Sequence, residues 1–282
     1  MKHDVIIEAR ELVFRYQPHM EPALDGVDLT IHEGEFVALL GQNGAGKTTI
    51  AKHFNGLLLP SEGEVLIRGR PSSKQRLWQL ARGVGYCYQN PDHQIFSSTV
   101  EKEVRFGPAN VGMQGKELQD AVDEALDLVG LSHQRDVHPF SLGQGQRQLL
   151  AVASVLAMNP PMLVVDEPTT GMDHLGAVRI MDLLAEWNQD GRTIVVITHD
   201  MDIVAEYVPR SVFMSNGRIV HDGPTLKVFD HQEALVEARL HEPSAVRISR
   251  ELSPWGVQPS GSIASIAEQV ANLCEGHHAG RV

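Results

Sequence analysis

Short apolar runs alternate with longer stretches of helical spacing along this chain, and that alternation predicts an α/β fold. Phe36-Val37-Ala38-Leu39-Leu40 is an uninterrupted apolar run, as expected of a parallel strand buried on both faces. Met162–Val165 and Thr193–Ile197 are similar short runs rich in β-branched residues. Val5–Val13, Gly26–Ile31, Glu64–Arg68 (bounded by Gly63 and Gly69) and Gly83–Tyr88 read as further strands. Thr49–Phe54 reads as the opening of a helix. From about Val100 to Met158 the spacing turns helical, with Leu118, Val122, Ala125, Leu126 and Val129 on one face and Gly130 as a stop. A helix near Ala177–Trp187 follows, and Asn216-Gly217 predicts a hairpin within Ser211–Asp222. The order is strands, an α/β core, an inserted helical block and a return to the core. The apolar positions from Leu235 to Leu273, interrupted by Pro243, Pro254 and Pro259, predict short amphipathic helices in a small packed appendage; a partly ordered tail is the alternative.

The chemistry lies at the ends of the predicted strands. Gly41-Gln42-Asn43-Gly44-Ala45-Gly46-Lys47-Thr48 follows the Phe36–Leu40 strand and opens a helix at Thr49. It fits the phosphate-binding pattern Gly-x-x-x-x-Gly-Lys-[Ser/Thr]. The glycines let several backbone N–H groups curl around one anion, Lys47 can reach the outer phosphates, and Thr48 can offer its hydroxyl to Mg²⁺. The start of a helix adds a favourable dipole. Asp166 and Glu167 close an apolar strand, where one carboxylate can hold Mg²⁺ and the next can orient an attacking water. His199, after Thr193–Thr198, can donate a hydrogen bond to a γ-phosphate oxygen. Gln89, at another strand end, can reach Mg²⁺ or water. Ser141-Leu142-Gly143-Gln144-Gly145-Gln146-Arg147 precedes the helical run Gln148–Ala157, and Ser141 is expected to cap that helix. This makes a second phosphate-binding device, which can meet the first within one subunit or between two.

Composition narrows the classes. The 282 residues suffice for one large domain, or for one domain with an appendage. The formal net charge of −12 argues against sequence-independent nucleic-acid binding. Cys87 and Cys274 are too few for a disulfide framework and suit a reducing compartment. No apolar run approaches the ~18–20 residues that span a bilayer. The first residues lack the basic start and apolar core of a signal peptide.

Over residues 5–225 these motifs resemble the nucleotide-binding subunits of ATP-binding cassette (ABC) transporters. The resemblance makes Gly41–Thr48 the Walker A loop, Met162–Glu167 the Walker B strand, Gln89 the Q-loop, Thr169–Asp173 the D-loop and His199 the switch histidine. Phe140-Ser141-Leu142-Gly143-Gln144 is similar to the signature Leu-Ser-Gly-Gly-Gln, departing at Phe140 and at Leu142, which replaces a glycine. Tyr88-Gln89-Asn90-Pro91-Asp92-His93-Gln94-Ile95-Phe96, with Thr99-Val100 and Phe106-Gly107-Pro108, narrows the resemblance to the energy-coupling factor group, importers of vitamins and of cobalt or nickel ions.

The fold implied is a P-loop NTPase core with an antiparallel β subdomain, a helical subdomain at about 91–160 within a unit 1–230, and a C-terminal appendage, 231–282, that can join two subunits. The implied cofactors are ATP and Mg²⁺. ATP would lie on Gly41, Gln42, Asn43, Gly44, Ala45, Gly46, Lys47, Thr48 and Thr49, with adenine on Tyr16. Ser141, Gly143, Gln144 and Asp173 would complete the nucleotide site, and Thr48, Asp166 and Gln89 would hold the cation. Glu167, His199 and Gln89 would carry the catalysis. The implied partners are a second ATPase subunit, identical or a paralogue, a transmembrane T component facing acidic groups near Asp92, and a substrate-capturing S component, at the cytoplasmic face of a membrane and without nucleic acid. A soluble ABC ATPase acting on DNA or ribosomes, and a nucleotide-binding regulator without turnover, are the alternatives.

Overall fold

The computed structural model describes residues 4–279; residues 1–3 and 280–282, which fall in the expected units 1–230 and 231–282, lie outside the described residues. The chain opens with β1 (Val5–Phe14) and β2 (Leu24–His32), then runs through β3 (Phe36–Leu40) into helix α1 (Lys47–Phe54). After β4 (Glu62–Ile67), the short β5 (Arg70–Pro71) and α2 (Leu77–Gly83), β6 (Val84–Cys87) leads to the helices α3 (Val100–Asn110), α4 (Gly115–Val129) and α5 (Gln144–Leu156). The chain returns through β7 (Met162–Asp166), α6 (His174–Gln189), β8 (Thr193–Ile197) and α7 (Met201–Tyr207) to the hairpin β9 (Arg210–Ser215) and β10 (Arg218–Pro224). It ends in α8 (Thr225–Phe229), α9 (Gln232–Ala238), α10 (Ser244–Leu252) and α11 (Ile263–Ala279).

Two sheets result. A four-stranded antiparallel sheet has the order β2-β1-β4-β5, and a six-stranded sheet has the order β10-β9-β3-β8-β7-β6. Strands β9, β3, β8, β7 and β6 are parallel to one another, with β10 antiparallel at the edge. Every residue of β3, β7 and β8 is buried. The pleat explains why both faces had to be apolar. Phe36, Ala38, Leu40, Leu163, Val165, Ile194 and Val196 belong to a core shared with α3–α6. Val37, Leu39, Met162, Val164, Val195 and Ile197 belong to a core shared with α1 and the antiparallel sheet.

Several ends differ from the sequence expectation for local reasons. The strand expected at Glu64–Arg68 stops at Ile67, because Arg68 and Gly69 turn at φ 49° and 72°. Gly83 closes α2, a helix whose Leu77 and Trp78 are exposed and so leave no buried stripe to read. Helix α5 starts at Gln144, four residues before the expected Gln148. Gly130 ends α4 at φ 69°, and Asn216 (φ 48°) with Gly217 (φ 75°) forms the expected β9–β10 turn.

The C-terminal helices are anchored rather than trailing. Leu235, Ala238 and Val246 join the core of the helical block, and Ser215 Oγ donates to Glu237 O at 3.0 Å. Ala245, Val257 and Ile266 form a small cluster with Leu252, Val270 and Leu273. The anchor is α7: Ser244 N donates to Asp202 Oδ1 at 2.7 Å, and Ser262 Oγ donates to Glu206 Oε1 at 2.9 Å. Gly261 lies so close that a Cβ there would stand 1.8 Å from Ala205 O. No helix among the described residues is long and apolar enough to cross a membrane. Gly261→Ala is therefore expected to lift the last helix off α7. An overpacking cost of about 1–3 kcal/mol should lower Tm by about 2–8 °C. Limited proteolysis should then cut near residue 261 well before the rest of the chain.

Candidate active site

The phosphate-type loop connects β3 to α1. Gly41 sits at φ 148°, and a Cβ there would come 2.2 Å from Met214 O on β9. Gly46 caps α1 at φ 101°, with Ala23 O and Leu24 Cδ2 each 2.9 Å from the place of a Cβ. Only glycine lets the loop lie this close to two neighbouring segments. Lys47 is 7% exposed and folds over its own loop, with Nζ donating to Gly41 O at 2.7 Å and to Gln42 O at 3.0 Å. Burial holds its ammonium pKa below the usual lysine value, against the opposing pull of Glu167 and Asp166. An anion in the loop would restore the charge partner that burial removes.

Asp166, 4% exposed, ends β7 and faces this loop across β8. Its Oδ2 accepts from Thr48 Oγ1 at 2.9 Å and from Tyr86 OH at 3.0 Å. Burial raises its carboxyl pKa above the usual range, with the two hydrogen bonds and Lys47 working against the rise and Glu167 adding to it. Burial also drives the Tyr86 phenol upward, so it remains a donor. Glu167 leaves the strand at φ 51°, a conformation a non-glycine residue adopts only under constraint, and its N–H donates to Ile197 O at 2.7 Å. That turn separates the roles of the two acids. Glu167 Oε2 meets His199 Nδ1 at 2.7 Å and accepts from Thr170 Oγ1 at 3.3 Å, whereas Asp166 stays on the loop.

Tyr16 and Thr49 hydroxyls lie 3.1 Å apart, and the Tyr16 ring stands edge-on to Phe14 at 4.9 Å while remaining largely exposed. Tyr16, Asn43–Thr49, Gln89, Asp166 and Glu167 line one cleft of about 270 Å³. A second cleft of about 690 Å³ continues past Gln42, Glu167 and His199 to Arg239–Glu242. The two together gather every candidate from Tyr16 to Thr49 with Gln89, Asp166, Glu167 and His199.

Ser141, Gly143, Gln144 and Asp173 line neither cleft. Ser141 does not cap α5: Pro139–Ser141 is a single 3₁₀ turn, and the hydroxyl donates back to His138 O at 2.6 Å. Gly143 is the cap residue, and its N–H goes to Gln146 Oε1 at 3.2 Å. Ser141, Gly143 and Gln144 are exposed, whereas Leu142 between them is 4% exposed and packs in the core with α3–α6. The leucine in place of a glycine therefore points inward and leaves the outer face free. Gln144 lies against Gly171, where a Cβ would fall 2.5 Å from its Nε2. Asp173 caps α6 through Gly176 N at 2.8 Å. Arg147 ties this patch to the Gln89 loop: Nε donates to Asp92 Oδ1 at 2.8 Å, and Nη1 donates to Leu142 O at 2.7 Å. Asp92, expected to face a basic partner, has this internal partner.

Sequence reading gave no individual role to Tyr86, to Thr170 within the D-loop or to Arg147 at the end of the Ser141–Arg147 run. Tyr86 carried a usable signal, since a buried tyrosine hydroxyl needs a partner and its strand ends beside Gln89. The donors fit a hard cation. A hydroxyl and a carboxylate adjoin in a polar, buried corner of the phosphate-type loop, the oxygen chemistry that suits Mg²⁺. Among the described residues no cluster of three or more His, Cys, Asp or Glu could hold a metal alone, so remaining ligands would come from phosphate and water.

Comparisons with known proteins give the family. The family described as ABC transporter matches residues 24–170. The chain is 45% identical over 249 residues to a relative from Caldanaerobacter subterraneus subsp. tengcongensis whose name places it among ABC transporter ATP-binding proteins. That match covers 88% of this chain but 44% of the relative, so the chain spans less than half of that protein's length. It is 42% identical over 245 residues to the energy-coupling factor transporter ATP-binding protein EcfA of Methanocaldococcus jannaschii, covering 86% of this chain and 88% of that one. The solved structure of cbiO1 from Clostridium perfringens, part of the ABC transporter complex cbiONQ, shares 37% identity at a TM-score of 0.75, covering 89% of this chain and 99% of that one. The chain belongs to the ABC transporter family, with the fold of its ATP-binding cassettes. Within that family it is of the energy-coupling factor type, the group to which its sequence resemblance pointed.

Restoring a glycine at the signature is expected to harm the protein. Leu142→Gly removes a buried side chain and should cost about 3–5 kcal/mol of stability, read as a lower urea midpoint, without strengthening nucleotide binding.

Proposed function

We propose that this chain is the ATP-binding and ATP-hydrolysing subunit of an energy-coupling factor importer that takes up a vitamin or a transition-metal ion. One observation carries the shared-site reading. The loop, acids and histidine gather in two adjoining clefts that share Asn43, Gln89 and Glu167, while exposed Ser141, Gly143 and Gln144 form a separate face of the same chain. A second subunit, identical or a paralogue, would bring its own face over the γ-phosphate. ATP would lie on Gly41–Thr49 with adenine against Tyr16.

Thr48 and Asp166, with Gln89, are the residues that would hold Mg²⁺, which when bound neutralises charge on the β- and γ-phosphates. Lys47 exchanges its loop carbonyls for phosphate oxygens. Glu167 accepts a hydrogen bond from the attacking water and aligns it. His199, oriented by Glu167 through Nδ1, offers its other ring nitrogen to the γ-phosphate. Hydrolysis removes the charge that bridges the two subunits, and they part.

The membrane partner in this reading is a T component, with an S component selecting the cargo, and the chain works at the cytoplasmic face. An apolar groove of about 400 Å³ supports the docking step: Trp78, Tyr88, Phe96 and Phe106 line it beside the Gln89–Phe96 loop. Phe96 and Phe106 stack edge-on at 4.7 Å while both remain exposed. The unit 1–230, with its helical part at about 91–160, would do the chemistry, and 231–282 would help join two subunits.

Glu167→Gln is expected to bind ATP while slowing turnover at least about a hundredfold. With Mg²⁺-ATP it should run as a dimer in size-exclusion chromatography. A variant that stays monomeric at saturating ATP, alone and with any ATPase subunit that copurifies, would sink the shared-site reading. Mass spectrometry of what copurifies from the native membrane tests the importer: one membrane protein of T type and one of S type are expected.

A further inference from the structure

Tyr86 is buried, lies on β6 beside Val164 of β7, and places its hydroxyl 3.0 Å from Asp166 Oδ2. The same oxygen accepts from Thr48 at 2.9 Å. The two donors are not equivalent. Thr48 belongs to the loop that receives phosphate, and its hydroxyl oxygen must turn a lone pair to a cation when one binds. Tyr86 stands on an in-register parallel strand, with its ring in the core beneath the sheet and 5.1 Å from the Tyr88 ring. Its hydroxyl is the fixed point of the corner.

We infer that Tyr86 is a positioning residue for the cation-binding carboxylate: its hydroxyl holds Asp166 in the rotamer that receives Mg²⁺. The inference rests on the nucleotide-binding reading above and deepens it. Two effects compete. A hydrogen bond draws charge from the carboxylate and weakens it as a ligand, but it also removes the freedom the carboxylate would lose on binding a cation. Asp166 is almost wholly enclosed, so a lost donor is not replaced freely by water, and the orienting effect outweighs the other. Tyr86 also borders the aromatic groove lined by Trp78, Phe96 and Phe106, so the residue that holds the carboxylate adjoins the wall at which a membrane partner would dock.

The test is Tyr86→Phe in the full chain, which keeps the ring and deletes only the hydroxyl. Binding of a fluorescent ATP analogue is measured first in EDTA and then as a function of Mg²⁺. Binding in EDTA should stay within about twofold of the unsubstituted chain, while the Mg²⁺ concentration for half-maximal tightening should rise about five- to tenfold, the net worth of one ordinary hydrogen bond. An unchanged or lower Mg²⁺ midpoint overturns the inference. So does an equal loss in EDTA and in Mg²⁺, which would make Tyr86 a support of the whole cleft. If the unsubstituted chain binds no analogue at all, the nucleotide-binding reading falls and takes this one with it.

Discussion

The 2.9 Å hydrogen bond from Thr48 to Asp166 joins two segments 118 residues apart, and the site depends on it. The sheet order puts β8 between β3 and β7, so the loop after β3 and the acids after β7 face each other at one end of the same sheet. Parallel pairing leaves the relative height of those strand ends fixed by register: Leu39 stands opposite Ile197, and Ile197 opposite Asp166. A buried carboxylate is costly unless donors surround it. Here one donor comes from the loop and another from β6, with the Lys47 charge nearby. The raised pKa of Asp166 and the lowered pKa of Lys47 show that burial still dominates. Both groups are held in a site whose charge balance a phosphate chain with a cation would complete.

The second constraint is that the Ser141–Gln144 face is fastened away from its own cleft. Leu142 is locked into the core of the helical block, Gly143 starts α5, and Arg147 binds Leu142 O and Asp92 together. Ser141, Gly143 and Gln144 are consequently tied to the turn that carries Asp92. That turn belongs to the Gln89–Phe96 segment, whose Phe96 borders the aromatic groove. The Gln89–Phe96 segment and the Ser141–Gln144 face are thus linked by a guanidinium that bridges a carboxylate and a backbone carbonyl. Such a bridge holds geometry better than a single contact, because its donors are fixed in one plane.

Legibility from sequence followed the physics of each element. Strands β3 and β8 were readable to the residue because burial on both faces demands unbroken apolar runs. The phosphate-type loop was readable because its glycines answer to backbone contacts as close as that of Gly41 with Met214. Helices α2 and α7 escaped because seven residues give too few turns to show a periodicity. The capping role of Ser141 was misjudged because Pro139 opens a 3₁₀ turn that sends the hydroxyl backward, a choice settled by backbone geometry and not by residue type. Periodicity placed Tyr86 on a strand but says nothing of where its hydroxyl ends. The pairing of Glu167 with His199 depends on the left-handed turn at Glu167, which no pattern of residue types announces.

The C-terminal helices change meaning once their footing is traced. Asp200 caps α7 by accepting from Ile203 N at 3.1 Å, so the helix begins immediately beyond His199. The contacts that seat α10 and the start of α11 fall on Asp202, Ala205 and Glu206 of that same helix. Arg239–Glu242, which precede α10, form the far wall of the cleft past His199. Glu242 is in turn paired to Arg250 of α10 at 2.6 Å. The histidine's loop and the last two helices therefore share one short support, α7. A displacement of α10 against α7 would break the Ser244–Asp202 contact, which lies in the first turn of the helix that follows the loop aiming His199 at Glu167.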